Sequence, residues 1–371
     1  MRRNKVSPWR RHAKIDAAAP MGYHSTNRLR NRLHIPSEGR MKRITMADVA
    51  ERAGVSKATV SHVINETRFV EAATKDRVRE AISALGYRPN VAARSLTTQR
   101  TRIIGLIVSD VTNTFFAELM RGIEDVLVDN GYSLMLCNTN EVLEREEYYI
   151  DILLRQGVDG IIAAATSQDW DALNEAAKLN IPIVMLDRTF ENADSPYVGV
   201  NNSHGAYLGT CHLIERGYRD IGILSGFQRL STMRERLAGF EQALAEANLP
   251  LRENWCIDSP LTIEDGKRAM QQLMSQAERP GAVFISNNLL SLGALMGLRE
   301  LKLACPADVA IVGFDDHPWA QVSDPPLTVV RQPTYAIGET AAHKVLKALN
   351  DNEAEIPSAL FNCQLVRRQS C

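Results

Sequence analysis

A small all-α helix-turn-helix head, followed by an α/β core of two doubly wound parallel-sheet lobes, is the fold class that the 371 residues predict. Three observations carry it. Residues 46–65 hold two short helical periods broken at one glycine. From Arg102 onward, apolar strand-like runs alternate with helical stretches of roughly ten to fifteen residues, the signature of parallel sheets covered on both faces. That alternation runs for about 270 residues, more than one such sheet usually needs, so two lobes are expected.

In the first period Met46, Val49, Ala50 and Ala53 recur at helical spacing and give one apolar face. Gly54 ends it where left-handed backbone costs least, and Val55 fills the angle. Ser56 is a good N-cap for the second helix, whose Val60, Val63 and Ile64 face inward. Lys57, Ala58, Ser61 and His62 then point outward, where a recognition helix meets base edges, and the hydroxyls of Ser56 and Thr59 suit phosphates. Lys57 can bond guanine or phosphate, Ala58 can touch a thymine methyl, and His62 can bond a purine edge. An ordinary helical hairpin would share the periodicity. The next segment argues against it: a third amphipathic stretch from Thr74 to Leu85, with Val78, Ile82 and Leu85 apolar, stops at Gly86-Tyr87-Arg88-Pro89-Asn90. A short helix-compatible run, Val91 to Leu96, follows.

Charge is unevenly spread. Net charge is −1, but residues 1–40 hold ten basic and two acidic side chains, and residues 41–100 hold eleven and six. The remainder carries 22 basic against 36 acidic. A basic head on an acidic body is the footprint of a protein that meets nucleic acid by one end, although a solvated acidic surface also accounts for the body. Residues 1–40 lack a hydrophobic period and are expected to be disordered. They also lack the apolar segment of a secretory signal. Translation is expected to begin at Met41, which intact mass of protein made from its native locus would decide. No apolar run approaches a membrane span, and the six scattered cysteines read as buried free thiols rather than a disulfide framework or zinc site. A cytoplasmic, nucleoid-associated protein is expected.

The core strands read as Ile103 to Val108, Tyr132 to Cys137, Gly160 to Ala163, Ile183 to Leu186, Ile221 to Leu224, Ala282 to Ile285 and Val309 to Val312. The first helix of the core reads as Phe115 to Asn130, stopped by Gly131. Ligands of such sheets sit where loops leave the carboxyl ends of strands. Asp110, Phe115 and Phe116 follow the first strand, and Thr166 follows the third, which makes them candidate pocket residues. Nucleophile-elbow, P-loop, zinc-protease and dinucleotide fingerprints are all missing. His204, His212, His317 and His343 stand outside metal-ligand spacing. An enzyme, a cofactor and a metal site are therefore not expected. A secreted binding protein is the other rival, but it would need a signal peptide and no helix-turn-helix.

The run Thr59-Val60-Ser61-His62-Val63-Ile64-Asn65, with Ala93-Arg94-Ser95-Leu96, resembles the lactose-repressor family of bacterial transcription regulators, most closely its purine- and ribose-repressor branch. The resemblance spans about residues 44–368. It implies a DNA-binding domain over 41–88, a hinge over 89–101, and a periplasmic-binding-protein-like effector and dimerisation core over 102–371. Within the core it implies one lobe of about 102–200 plus 333–356 and another of about 201–332 plus 357–371. On operator DNA, the hinge of such proteins turns helical; Leu96 matches the residue wedged into the minor groove, with Asn90 or Arg94 near phosphate. Arg236, Asn287 and Asp315 match effector-binding positions. The implied partners are a pseudo-palindromic double-stranded operator, a second copy of the chain (a homodimer, or a tetramer), and a small sugar, sugar acid or sugar phosphate. A purine or a phosphoprotein co-regulator is the alternative. Two departures bear on this choice. Leu230 occupies the site of a second arginine found in the purine repressor. Asn288 stands where many members have Asp, which is expected to ease the approach of an anionic ligand.

Overall fold

The computed structural model describes residues 44–88, 100–166, 171–189, 195–351 and 355–371. The helical head and the α/β core are two separate units. In the head, α1 (Met46–Ala53) opens with a reciprocal cap between Thr45 and Asp48. Gly54 closes it at φ 64°. The second helix, α2 (Lys57–Asn65), starts on Ser56, whose Oγ accepts from the Thr59 amide. The third, α3 (Ala72–Leu85), begins two residues before the position the sequence suggests, because Glu71 rather than a later residue stands at its N-cap. Val49, Val60, Val63, Val78 and Ala81 form the buried centre of this three-helix head. The inward positions expected from the spacing of α1 and α2 all lie in or against that centre.

The core alternates strands and helices. Its first half runs β1 (Ile103–Val108), α4 (Thr114–Asp129), β2 (Ser133–Asn138), α5 (Leu143–Gln156), β3 (Gly160–Ala163), α6 (Asp171–Lys178), β4 (Ile183–Leu186) and β5 (Tyr197–Val200). The second half follows as α7 (Asn202–Glu215), β6 (Ile221–Gly226), α8 (Ser231–Glu246), β7 (Cys256–Ser259), α9 (Ile263–Met274), β8 (Ala282–Ile285), α10 (Asn288–Leu301), β9 (Ala310–Phe314), α11 (Pro318–Val322) and β10 (Thr328–Arg331). The chain then returns through α12 (Thr334–Asn350), β11 (Ala359–Phe361) and β12 (Gln364–Val366).

These strands build two six-stranded sheets, ordered β11-β5-β4-β3-β1-β2 and β12-β10-β9-β8-β6-β7. Pairing is parallel throughout, except that β12 runs antiparallel to β10. Central strands such as β3, β4, β8 and β9 are buried at every residue, as expected of sheets covered on both faces.

One lobe boundary differs from the sequence-based expectation. Ala359–Phe361 pairs with Val198–Val200 in the first sheet, so residues 357–361 belong to the first lobe rather than the second. The chain crosses between lobes after β5, after β10 and between β11 and β12. Helix α12 is held on the first lobe by close backbone approach to α4. A Cβ on Gly122 would strike the Tyr335 carbonyl, and one on Gly338 would strike that of Leu119. Only glycine permits this crossing.

Candidate functional site

The order of each sheet decides where a ligand can sit. In both sheets the strand order reverses beside the first strand of the lobe, β1 and β6, and the loops leaving the carboxyl ends there open a crevice. The two crevices face each other across one cleft of about 450 Å³, a size usual for small-molecule sites. Asp110, Phe115, Phe116, Arg236, Asn287 and Asp315, all anticipated from the sequence, line it.

The first lobe supplies an aromatic wall. Asn113 caps α4 by accepting from the Phe115 amide at 3.1 Å, and this aims both phenylalanines at the cleft. Their rings meet edge to face with centroids 5.0 Å apart. Such a corner presents a flat apolar surface to a ring with C–H faces. The second lobe supplies the polar wall. Arg236 is only 3% exposed; its Nε donates to Asn202 Oδ1 at 2.9 Å and one terminal nitrogen to the Ser286 carbonyl at 2.7 Å. Its guanidinium also lies 3.6 Å from the Phe314 ring centroid. The cation is thus held by neutral groups, which leaves its charge to act on the cleft. Asn287 is both a cleft residue and the N-cap of α10, accepting from the amides of Leu289 and Leu290.

Asp315 sits at φ 75° directly after β9, a conformation in which an aspartate is tolerated at some cost. Its Oδ1 accepts from Gln332 Nε2 at 2.6 Å, while Gln332 Oε1 is buried without a partner. Asp187, at φ 61° directly after β4, has the same strained geometry. Burial pushes Asp187 up to about 6, against the pull of Arg188 and Arg236, with Asp315 and Glu141 adding to the rise. Beside it Arg188 makes two bonds to Glu141, at 2.9 and 2.6 Å. Burial would raise Glu141, but the Arg188 charge and hydrogen bonds outweigh it and hold that carboxyl below its usual range. Arg188 Nε lacks a hydrogen-bond acceptor; Asp187 Oδ2 lies 3.7 Å away, a charge contact only.

Glu141, Asp187, Arg188 and Gln332 were not anticipated. The rule that located Asp110, looking just past a strand, also reaches Asp187 and Arg188 after β4, whereas Glu141 lies in a loop with no sequence signal. Two expectations fail. Thr166 does not line the cleft: its hydroxyl bonds Thr139 Oγ1 at 2.9 Å and its amide bonds Glu146, so it braces the floor of the lobe. Asn288 does not line it either; its side chain is turned to Asn113 and His317, so it does not set the charge that a ligand meets.

In the head, Lys57 and Ala58 are exposed at the start of α2, and Thr59, Ser61 and His62 are half-buried along it. Ser56 Oγ and Thr59 Oγ1 lie 2.9 Å apart and share one hydrogen, which leaves the other free for an outside acceptor. His62 Nδ1 pairs with Thr67 Oγ1 at 2.7 Å, which fixes its ring. Ser56, Thr59, His62, Arg68 and Arg77 border one groove with Phe69, whose ring is 94% exposed. Asn90, Arg94 and Leu96 lie outside the described residues, as does the extension 1–40.

The comparisons agree with this division. Residues 45–90 match the model of "Bacterial regulatory proteins, lacI family", and residues 210–371 match "Periplasmic binding protein-like domain". The chain is 37% identical over 327 residues to the HTH-type transcriptional repressor PurR of Photobacterium profundum, covering 88% of this chain and 98% of that one. Among solved structures it is similar to the lac repressor dimer bound to operator and the anti-inducer ONPF, with TM-score 0.80 and 28% identity, covering 89% of this chain and 99% of that one. It is also similar to a LacI family transcriptional regulator from Enterococcus faecium with bound ribose, with TM-score 0.66 and 30% identity, covering 72% and 98%. With a helix-turn-helix head, a two-lobed core and full-length relatives of the same plan, this chain belongs to the lacI family of bacterial regulatory proteins and is a DNA-binding transcriptional repressor.

Proposed function

We propose that the cleft takes a neutral sugar of pentose size, of which ribose is the model, and that this sugar lowers operator affinity. The observation that carries the reading is the charge balance of the cleft. Four carboxylates (Asp110, Glu141, Asp187, Asp315) face two guanidiniums (Arg188, Arg236), and Glu141 already neutralises Arg188. An anionic sugar would need a surplus of cations, and this site has a surplus of acceptors. Carboxylates that accept from hydroxyls, a guanidinium that donates to ring or hydroxyl oxygens, and an aromatic wall together suit an uncharged polyol. This narrows the range of sugar, sugar acid and sugar phosphate to the first. The ribose-bound Enterococcus faecium neighbour supports the same class.

A purine is the competing reading, because purine repressors are among the relatives. It is disfavoured by Leu230, whose buried apolar side chain lines the cleft at the place of the second arginine. Titration calorimetry of the full chain against ribose, other pentoses, hypoxanthine and guanine separates the two. Heat of binding from ribose or a near isomer, and none from the purines, is expected. Tight binding of hypoxanthine with silence from every pentose would overturn the sugar reading.

On DNA, one head offers few base contacts, so a homodimer with two heads on a pseudo-palindromic operator is the functional unit. Lys57, Ala58, Ser61 and His62 read the major groove, while Ser56 and Thr59 hold phosphate. The segment 89–101, with Asn90, Arg94 and Leu96, completes the contact at the minor groove. Sugar in the cleft favours one lobe angle, changes the spacing of the paired hinge segments and so shifts the DNA-competent population. Such a regulator acts on the bacterial nucleoid, within the cytoplasm. Among the described residues no helix is long and apolar enough to cross a membrane.

A further inference from the structure

Asn288 and His317 lie outside the cleft lining, yet both are buried and both bond across the lobes. Asn288 Nδ2 donates to Asn113 Oδ1 at 2.9 Å and approaches His317 Nε2 at 2.5 Å. His317 Nδ1 lies 2.7 Å from Thr114 Oγ1. Asn113 and Thr114 open α4 in the first lobe, whereas Asn288 and His317 belong to the second.

The hydrogens in this group admit one consistent arrangement. Asn113 Oδ1 is fixed as an acceptor because it also caps the Phe115 amide. Asn288 must therefore present its amide nitrogen, and its two hydrogens serve Asn113 and His317. Imidazole Nε2 is then the acceptor, and the ring hydrogen on Nδ1 is directed at the Thr114 hydroxyl. Asn288 Oδ1 is left buried with no partner. An unpaired buried acceptor is costly, so stability alone is a poor reason for this side chain.

The position of the group gives a better reason. Asn113 and Thr114 immediately precede Phe115 and Phe116, the aromatic wall; Asn288 follows Asn287, and His317 stands two residues after Asp315, both on the polar wall. We propose that Asn288, His317 and Thr114 form a sugar-independent clasp that sets the spacing of the two cleft walls, making them positioning residues for effector binding. The Thr189 amide, which bonds Ser231 Oγ at 3.2 Å, is a further tie between the lobes. With the clasp closed, the ligand-free core samples a narrowed range of wall spacings, and the sugar supplies only the remaining change of lobe angle.

The effect on sugar affinity rests on the ribose reading; the effect on lobe spacing does not. The experiment uses the full chain, with orthogonal spin labels at the exposed Glu147 and Gln272, one on each lobe. Thr114→Val keeps shape and removes only one hydroxyl, while His317→Leu removes both ring contacts. In the absence of sugar, both variants are expected to lengthen and broaden the interlobe distance. Both should raise the ribose Kd about tenfold, the loss expected when only about a tenth of molecules retain the competent spacing. The double variant should be no worse than His317→Leu, since both remove one shared contact. A purely structural role would lower Tm and leave distance and Kd where they were, which would overturn the clasp. If His317→Leu does not fold, Thr114→Val decides alone, because Thr114 is exposed and its replacement is isosteric. If the parent chain binds no ribose, the sugar reading fails, and the sugar-free distances still decide the clasp.

Discussion

Arg236→Met is expected to abolish sugar binding while leaving operator binding in place. The guanidinium is buried, fixed by Asn202, the Ser286 carbonyl and the Phe314 face, and open to the cleft. A site built to hydrogen-bond its ligand loses most when such a donor goes, and truncating a buried charged partner typically costs about 2–5 kcal/mol. Ribose affinity should therefore fall at least about thirtyfold. The variant also strands two acceptors, Asn202 Oδ1 and the Ser286 carbonyl, each costing about 1–3 kcal/mol. A lower Tm is expected, so calorimetry has to be run well below the transition. In a reporter assay the variant should repress and no longer respond to sugar. Undiminished ribose binding would show that Arg236 supports the lobe without touching the ligand.

Asp187→Asn is expected to stabilise the protein at neutral pH and weaken its hold on sugar. Burial raises this carboxyl to about 6, above its value in the unfolded chain. The folded state therefore binds the proton more tightly. Asp187 contributes stability at low pH, and this contribution is lost as pH rises through the window from about 4 to about 6. Two pKa units correspond to about 3 kcal/mol. Asparagine keeps the shape and tolerates the positive φ, so the variant should gain up to about 3 kcal/mol at pH 7.5 and almost nothing near pH 4. Glu141 shifts in the opposite sense and works against this trend in the parent chain. The difference between variant and parent, from denaturant unfolding at several pH values, cancels that contribution. A variant less stable than the parent at pH 7.5 would mean that the ion contacts of Asp187 outweigh its desolvation.

The central strands and the head were legible in the sequence for clear physical reasons. Continuous apolar runs such as Ile103–Val108 and Ala282–Ile285 can only be buried strands in this context, and Gly54 and Ser56 mark a turn between two helices. Strands at or next to an edge were harder to read. Tyr197–Val200, one place in from the edge, and the edge strands Cys256–Ser259 and Ala359–Phe361 are short and partly exposed, too brief for a period to emerge. The last of these moved a lobe boundary.

The site was legible by half. Position after a strand found Asp110, Phe115 and Phe116, and resemblance added Arg236, Asn287 and Asp315. Position alone also suggested Thr166, which the fold turns to Thr139 and Glu146. Contacts between lobes, such as Asn288 with Asn113, join residues 175 positions apart and leave no local pattern. They had to be seen.

Operator binding by the full chain, titrated with ribose at a stated moderate salt concentration, is the most direct measurement. Sequence-specific retention that weakens at least tenfold with ribose, about 1.4 kcal/mol of coupling, is the expected result. Retention that no sugar alters would contradict the sugar as the controlling ligand, and failure to prefer any specific DNA over random sequence would contradict the regulator itself.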